Sequence, residues 1–308
     1  MRNVPARILF VSGKGGTGKS FVAEALAERA AARGLEVALV RVRAAAGSAD
    51  PDSGGSEHRT EAARPATAHA SDGVTAQPAT FHTTTLDERA TLEKFLTRVL
   101  RLNFVARRLL DSRTFSAVAA AAPGLRDLVT LTAITALASP RRRRSFELIV
   151  VDAPASGHSV PLLTAPAQVL EIAPVGPVAR EARAARELVA DTQLFVPLIV
   201  TTPEELAINE ALTLCEDLRC AGVAAPRVVV NGLWPGHLAA EHVDWLVGSR
   251  ASSDALLHLK RRQRQLELIA TLERRVGRCP TLPFTFKEDE VPRAAITALL
   301  DSVIGAER

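Results

Sequence analysis

The stretch that decides the fold is Gly13-Lys14-Gly15-Gly16-Thr17-Gly18-Lys19-Ser20, which fits the pattern G-x-x-x-x-G-K-[ST]. It follows an apolar run over residues 7–12 and precedes residues 21–33, where Ala, Leu and Glu recur at helical spacing before Gly34. A glycine-rich loop between a strand and a helix lets backbone N–H groups converge on phosphate oxygens at the positive end of the helix. These eight residues therefore predict a phosphate-binding loop.

Two side chains of this loop have the chemistry that a magnesium triphosphate requires. Lys19 can reach the outer phosphates, and the Ser20 hydroxyl can supply a ligand to Mg²⁺. Lys14 cannot easily reach phosphates bound by its own loop, so it could instead contact the nucleotide of a neighbouring subunit or remain a solvated loop cation. The predicted cofactor-binding residues of the loop are Gly13, Lys14, Gly15, Gly16, Thr17, Gly18, Lys19 and Ser20.

Apolar runs of strand length recur along the chain with helical stretches between them. This pattern is typical of a parallel sheet covered by helices on both faces. We therefore predict an α/β fold of the P-loop NTPase type, a single domain over residues 1–308 with a mostly parallel, doubly wound sheet. The predicted strands are residues 7–12, 37–42, 148–152, 195–201, 227–231 and 281–284.

Two segments interrupt this pattern. Residues 44–80 are rich in Ala, Ser, Gly, Pro, Thr and Asp, with almost no large apolar side chain, so we expect a disordered insertion. Residues 86–138 carry Leu, Phe and Val three and four positions apart, which predicts an inserted helical subdomain on the sheet.

Composition narrows the classes of protein to which the chain can belong. It has 38 Lys and Arg against 34 Asp and Glu, a balance that does not require nucleic acid as a partner. The 3 cysteines are too few for a disulfide framework, and no apolar stretch is long enough to insert stably in a membrane. We therefore expect a cytoplasmic protein.

A second motif follows the predicted strand 148–152. Asp152 stands at the carboxyl end of that strand, where a carboxylate can hold Mg²⁺ through water, and the loop after it contains Gly157. Such a loop can move as the γ-phosphate comes and goes. A helix-capping aspartate is the alternative interpretation of Asp152.

These two motifs together carry a family resemblance. The segment Asp152-Ala153-Pro154-Ala155-Ser156-Gly157-His158 and the loop string G-K-G-G-T-G-K-S resemble the bacterial ArsA-like and guided-entry ATPases, members of the deviant Walker A class. The resemblance covers nearly the whole chain apart from residues 44–80. It implies an ATP-binding ATPase in which Lys14 and Asp152 are catalytic, Lys14 acting across a dimer interface.

The resemblance also implies the remaining ligand contacts. ATP and Mg²⁺ are the implied cofactors, with Ser20 and Asp152 at the metal. Asn231, at the end of a predicted strand, matches the residue by which the family recognises adenine, and Pro283 lies in a stretch resembling the strand beside the base. A turn residue after a strand is the alternative for Asn231.

The chain departs from the family after its second predicted strand. The family has Asp-Pro-Ala-His-Ser there, with an aspartate that orients the attacking water, whereas Val42 is followed here by Arg43-Ala44-Ala45-Ala46-Gly47-Ser48. Asp50 and Pro51 come several residues later, in the segment expected to be disordered. We therefore expect nucleotide binding to be retained and hydrolysis to be slow or impaired.

Three hypotheses about function follow. The first is an ATPase whose nucleotide state controls a dimer and its client. The second is a hydrolysis-impaired regulatory subunit that pairs with a paralogous ArsA-like ATPase, with homodimerisation as the alternative. The third is a positioning ATPase like ParA or MinD, which would bind DNA or membrane in its ATP state.

Overall fold

The computed structural model describes residues 7–42, 81–86, 88–100, 124–139, 145–236, 253–285 and 292–305. Strands and helices alternate along most of this length, as the apolar runs predict. The strands are β1 (Arg7–Ser12), β2 (Val37–Val42), β3 (His82–Leu86), β4 (Leu148–Asp152), β5 (Phe195–Thr201), β6 (Arg227–Leu233) and β7 (Thr281–Pro283). The helices are α1 (Lys19–Ala32), α2 (Glu88–Leu100), α3 (Leu125–Leu137), α4 (Ser156–Ile172), α5 (Pro177–Ala190), α6 (Glu205–Cys220), α7 (Ser253–Val276) and α8 (Arg293–Ile304).

All the strands of the described residues belong to one parallel sheet of 7 strands, in the order β3-β2-β4-β1-β5-β6-β7. The strand β1 lies near the middle, with Val11 opposite Asp152 of β4 and Ser12 opposite Ile199 of β5. The glycine-rich loop begins at the carboxyl end of β1. It therefore lies near the middle of the sheet edge that is formed by the carboxyl ends of the parallel strands. The predicted α/β class and parallel sheet are confirmed.

Helices cover both faces of the sheet because successive side chains of each strand point to opposite faces. On β1, Ile8 and Phe10 belong to a core shared with α3, α4, α5, α6 and α7. Leu9 and Val11 belong to the opposite core, shared with α1 and α8. All four side chains are fully buried, so this strand is apolar on both faces, as its sequence requires.

The strand β3 was absent from the prediction. Its sequence, His82-Thr83-Thr84-Thr85-Leu86, has no apolar run, and its residues are only half-buried because β3 is the edge strand beyond β2. Leu86, predicted to begin the helical region, is instead the last residue of this strand. Partial exposure at an edge removes the hydrophobic signal on which strand prediction depends.

The helical region is described only in part. Helix α3 packs against α4 and α5, with Leu128, Leu131 and Ile134 buried in the larger core, and α2 packs on α3 through Phe95 and Val129. The predicted disordered segment 44–80, the position of Arg43 and residues 101–123 lie outside the described residues. Within the part of the chain that the structure describes, no helix combines the length and apolar character needed to cross a membrane.

Candidate nucleotide-binding site

The glycine-rich loop connects β1 to α1 at the middle of the sheet edge. Gly13, Gly16 and Gly18 have positive φ angles of 144°, 83° and 84°, which L side chains rarely adopt. Two of them also have no room for a side chain: a Cβ on Gly13 would lie 2.1 Å from the Val200 carbonyl oxygen, and one on Gly18 would lie 2.3 Å from Asn231 Nδ2. The loop therefore requires glycine for both its backbone conformation and its close neighbours.

Lys19, the first residue of α1, is folded back over this loop. Its Nζ donates to the Lys14 carbonyl at 2.7 Å, and the Thr17 hydroxyl donates to the same oxygen at 2.9 Å. Burial lowers the pKa of the Lys19 ammonium, while the negative charges of Asp152 and Glu210 act in the opposite direction. A partly buried ammonium at a helix N-terminus, lined by backbone N–H groups, has the chemistry that binds a phosphate anion.

Asp152 ends β4 beside the loop and accepts a hydrogen bond from the Ser20 side chain. Burial raises the pKa of the Asp152 carboxyl above its usual range, while the Ser20 hydrogen bond and the charges of Arg41 and Lys19 oppose that rise. A hydroxyl paired with a carboxylate at the phosphate loop is a donor set that suits Mg²⁺, which binds few protein oxygens and keeps its waters or phosphate oxygens. The residues present therefore fit a magnesium nucleotide.

Lys14 does not turn into its own loop. Its Nζ lies 3.5 Å from Oε2 of Glu210, a residue of α6, and the Lys14 side chain is 39% exposed. The other Glu210 oxygen accepts a hydrogen bond from the Ser156 hydroxyl. Ser156 also donates its backbone N–H to the Gly13 carbonyl at 3.0 Å. Glu210, which the sequence analysis did not single out, thus joins Lys14 to the loop that follows Asp152.

A buried pair of hydroxyls forms a second link between the two motifs. Ser12 Oγ lies 2.7 Å from Ser159 Oγ, and the Ser159 hydroxyl lies 2.9 Å from the Pro154 carbonyl. Both serines are at most 2% exposed, so each must find its hydrogen-bond partner inside the protein. His158, next in the chain to Ser159, is exposed at the start of α4.

Asn231 and Pro283 both lie on the strands that flank the loop on the side away from Asp152. The Asn231 Nδ2 donates to the Thr17 carbonyl at 2.9 Å, so this side chain ties β6 to the phosphate loop. Pro283 is an exposed residue of β7. Next to it, Phe284 stacks on Trp234 with ring centroids 5.0 Å apart. The role of Asn231 and Pro283 at adenine stays a prediction.

Comparisons with known proteins agree with these features. A family model described as anion-transporting ATPase, of the ArsA type, matches residues 6–174, which is more than half of the chain. A protein named ATPase BagA, from Mycobacterium tuberculosis strain H37Rv, is 29% identical over 257 residues, covering 81% of this chain and 72% of that protein. Proteins named as ATPases from Mycobacterium bovis and from a second M. tuberculosis strain are similar to the same extent.

Proposed function

The chain belongs to the anion-transporting ATPase family of the ArsA type, and on that premise we propose that it binds Mg-ATP at residues 13–20 and uses the nucleotide to control a dimer. The proposal rests on a group of side chains at the carboxyl ends of the sheet strands. Lys19 and the N-terminus of α1 lie at the glycine-rich loop, and the paired Ser20 and Asp152 lie beside them.

Each of these residues has one proposed role. The loop N–H groups and Lys19 bind and orient the phosphate chain, and Ser20 with Asp152 holds the metal. Mg²⁺, when bound, supplies positive charge that neutralises phosphate oxygens during transfer to water. Asn231 fixes the loop from the other side and is proposed to contact the base together with Pro283.

The proposed dimer depends on Lys14. Its side chain is partly exposed and paired with a carboxylate that is itself 37% exposed, so the ammonium can leave this partner at little cost. An ammonium on a flexible stem can then reach across a nucleotide-dependent interface. The partner is a second copy of this chain or a paralogous ArsA-like ATPase.

A hydrolysis-impaired regulatory subunit is the second candidate function. Its support is the chain after β2, where Val42 is followed by residues 43–48, Arg-Ala-Ala-Ala-Gly-Ser, which lack the aspartate and proline of the family. Among the described residues near Asp152, the neighbouring strand contributes the cation Arg41 and no carboxylate. A heterodimer with a paralogue carrying the full motif would then contain one competent and one regulatory site.

The positioning-ATPase alternative has less support. A MinD-like protein needs an apolar helix that can leave the protein for the membrane. Helix α8 is apolar, but its Ile296, Leu299, Leu300 and Val303 are at most 2% exposed and belong to the core under β1 and β5. Removing this helix from the sheet would expose that core.

The test measures binding, association and turnover separately. We expect wild-type protein to bind a fluorescent ATP analogue and Lys19→Ala to lose binding by at least about tenfold, because a charged phosphate contact is removed. Lys14→Ala should retain nucleotide affinity but form less dimer in light scattering. Steady-state phosphate release, with the chain alone and mixed with a paralogue, then distinguishes the ATPase from the regulatory subunit. No nucleotide binding by the wild type would reject both candidate functions.

A further inference from the structure

A pair of opposite charges lies directly beside the proposed metal ligands. Arg41 of β2 is opposite Asp152 of β4 in the register of the parallel sheet, so both side chains leave the sheet on the same face. The Arg41 guanidinium donates to the carboxylate of Glu24 on α1. Glu24 is four residues after Ser20, which places it one helical turn beyond the hydroxyl that binds Asp152.

Two neighbouring strands are therefore tied to two successive turns of one helix. Asp152 is bonded to Ser20, and Arg41 is bonded to Glu24. Glu24 holds the guanidinium in this position, because a carboxylate and a guanidinium form directional, charge-assisted hydrogen bonds. The positive charge of Arg41 is consequently fixed next to the carboxylate that is proposed to hold Mg²⁺.

A contribution to folding stability does not explain why the Arg41–Glu24 ion pair is present. The Arg41 and Glu24 side chains are 37% and 45% exposed, and ion pairs with that much solvent contribute little to folding. Their position at the metal side of the phosphate loop suggests an electrostatic role instead. A triphosphate brings several negative charges to this place, and a guanidinium can bind phosphate oxygens bidentately.

We propose that Arg41 is a second phosphate-side cation of the nucleotide site, restrained by Glu24, and that this pair sets how strongly nucleotide binding depends on Mg²⁺. The proposal rests on the proposed function, since it requires a nucleotide at residues 13–20. Without the metal, Arg41 supplies part of the positive charge that the phosphates need. With the metal, the same fixed charge repels Mg²⁺ and weakens its binding.

Removing the two members of the pair has opposite consequences. In Arg41→Gln, nucleotide affinity in the presence of EDTA falls, and less Mg²⁺ is needed to restore binding. In Glu24→Gln, the guanidinium keeps its charge and loses its restraint, so metal-free nucleotide affinity rises and more Mg²⁺ is needed. Each shift is expected to be about three- to tenfold, the size of one unit charge acting over several ångströms in a partly solvated site.

The experiment titrates a fluorescent ADP analogue into the full chain with EDTA, then titrates Mg²⁺ into the nucleotide complex. Arg41→Lys, which keeps the charge, should retain most of the metal-free affinity. The double variant Arg41→Gln/Glu24→Gln, with the pair's net charge preserved, should return both titrations toward wild type. The matched control is Arg33→Gln, which removes the guanidinium of another partly exposed ion pair, with Asp301, and should change neither titration.

The results separate this inference from the proposed function. Shifts of the two single variants in the same direction, or no shift in either, would overturn the role of Arg41 while leaving nucleotide binding established. A wild-type protein that binds no nucleotide would overturn the proposed function and this inference with it. Urea unfolding of every variant identifies one that fails to fold, in which case Arg41→Met and Glu24→Ala, which remove the same charges, replace the glutamine substitutions.

Discussion

Lys14 is ion-paired with Glu210 of its own chain, with 3.5 Å between the ammonium nitrogen and a carboxylate oxygen. The same carboxylate accepts a hydrogen bond from Ser156 in the loop after Asp152. One glutamate of α6 therefore holds both the lysine proposed to reach a neighbouring subunit and the loop proposed to respond to the γ-phosphate. A change at Glu210 therefore acts on both contacts.

Replacing Glu210 with glutamine should release Lys14 and favour dimerisation. We expect the nucleotide-dependent dimer to form at about two- to fivefold lower protein concentration, since an exposed ion pair is worth less than about 1 kcal/mol. Light scattering with a nonhydrolysable ATP analogue measures this. Glu216→Gln, which removes a carboxylate elsewhere on α6 that pairs with Arg219, is the control and should have no effect.

The negative charge of Glu210 also acts on Lys19. A separate experiment is therefore needed to show whether Glu210→Gln changes dimerisation through Lys14. If the gain in dimer passes through Lys14, the Glu210→Gln substitution should have no effect on dimerisation in a Lys14→Ala background. An equal gain in that background would show that Glu210 acts independently of Lys14. A double-mutant cycle of the four proteins gives the coupling between the two residues.

Substitution of Gly18 by alanine should destabilise the protein. Its φ is +84°, and the added Cβ would lie 2.3 Å from Asn231 Nδ2, so we expect a loss of about 1–3 kcal/mol in the free energy of unfolding. Urea unfolding measures this. Gly16→Ala is the matched control, because Gly16 has a similar φ of +83° and a Cβ there meets nothing within 4 Å. Equal stability of the two variants would contradict the close contact between Asn231 and the loop.

The cysteines should differ sharply in reactivity. Burial raises the pKa of the Cys215 thiol to about 11 and that of Cys279 to about 12, whereas Cys220 is exposed. Because the thiolate is the nucleophile, a raised pKa keeps a thiol unreactive at pH 8 and lets reactivity grow only as pH approaches 11. An alkylating reagent at pH 8 should modify the native protein at Cys220, and Cys220→Ala should lose this rapid reaction.

Trp234 should report nucleotide binding. Its ring stacks on Phe284 at 5.0 Å and lies under the Arg261 guanidinium at 4.5 Å, immediately after the strand that carries Asn231. The chain has 2 tryptophans, so Trp245→Phe leaves Trp234 as the only one. If the base binds between Asn231 and Pro283, ADP should change the emission of this variant saturably, and Asn231→Ala should weaken that response. No response despite measured binding would place the base elsewhere.

The sequence by itself determined the frame of the fold. A strand, a glycine-rich loop and a helix occupy consecutive residues from Arg7 to Ala32, and their signals are local: apolar runs, glycines and helical spacing. The six predicted strands are present because each is apolar enough to be buried in a parallel sheet. The positions of Lys19, Ser20 and Asp152 in the fold could be predicted for the same reason, since a strand end or a helix start beside each one fixes where it lies.

Only the tertiary structure decided which distant residues meet around the glycine-rich loop, at the carboxyl ends of the strands. Lys14 pairs with Glu210, and Ser12 meets Ser159 across 147 positions of the chain. In the sequence, Glu210 resembles any glutamate on an amphipathic helix, and a serine gives no hydropathy signal. The meeting of Arg41 with Asp152 and Glu24 is invisible for the same reason. Register between strands and the packing of α1 on the sheet are set by the whole fold, and no local pattern records which charges they bring together.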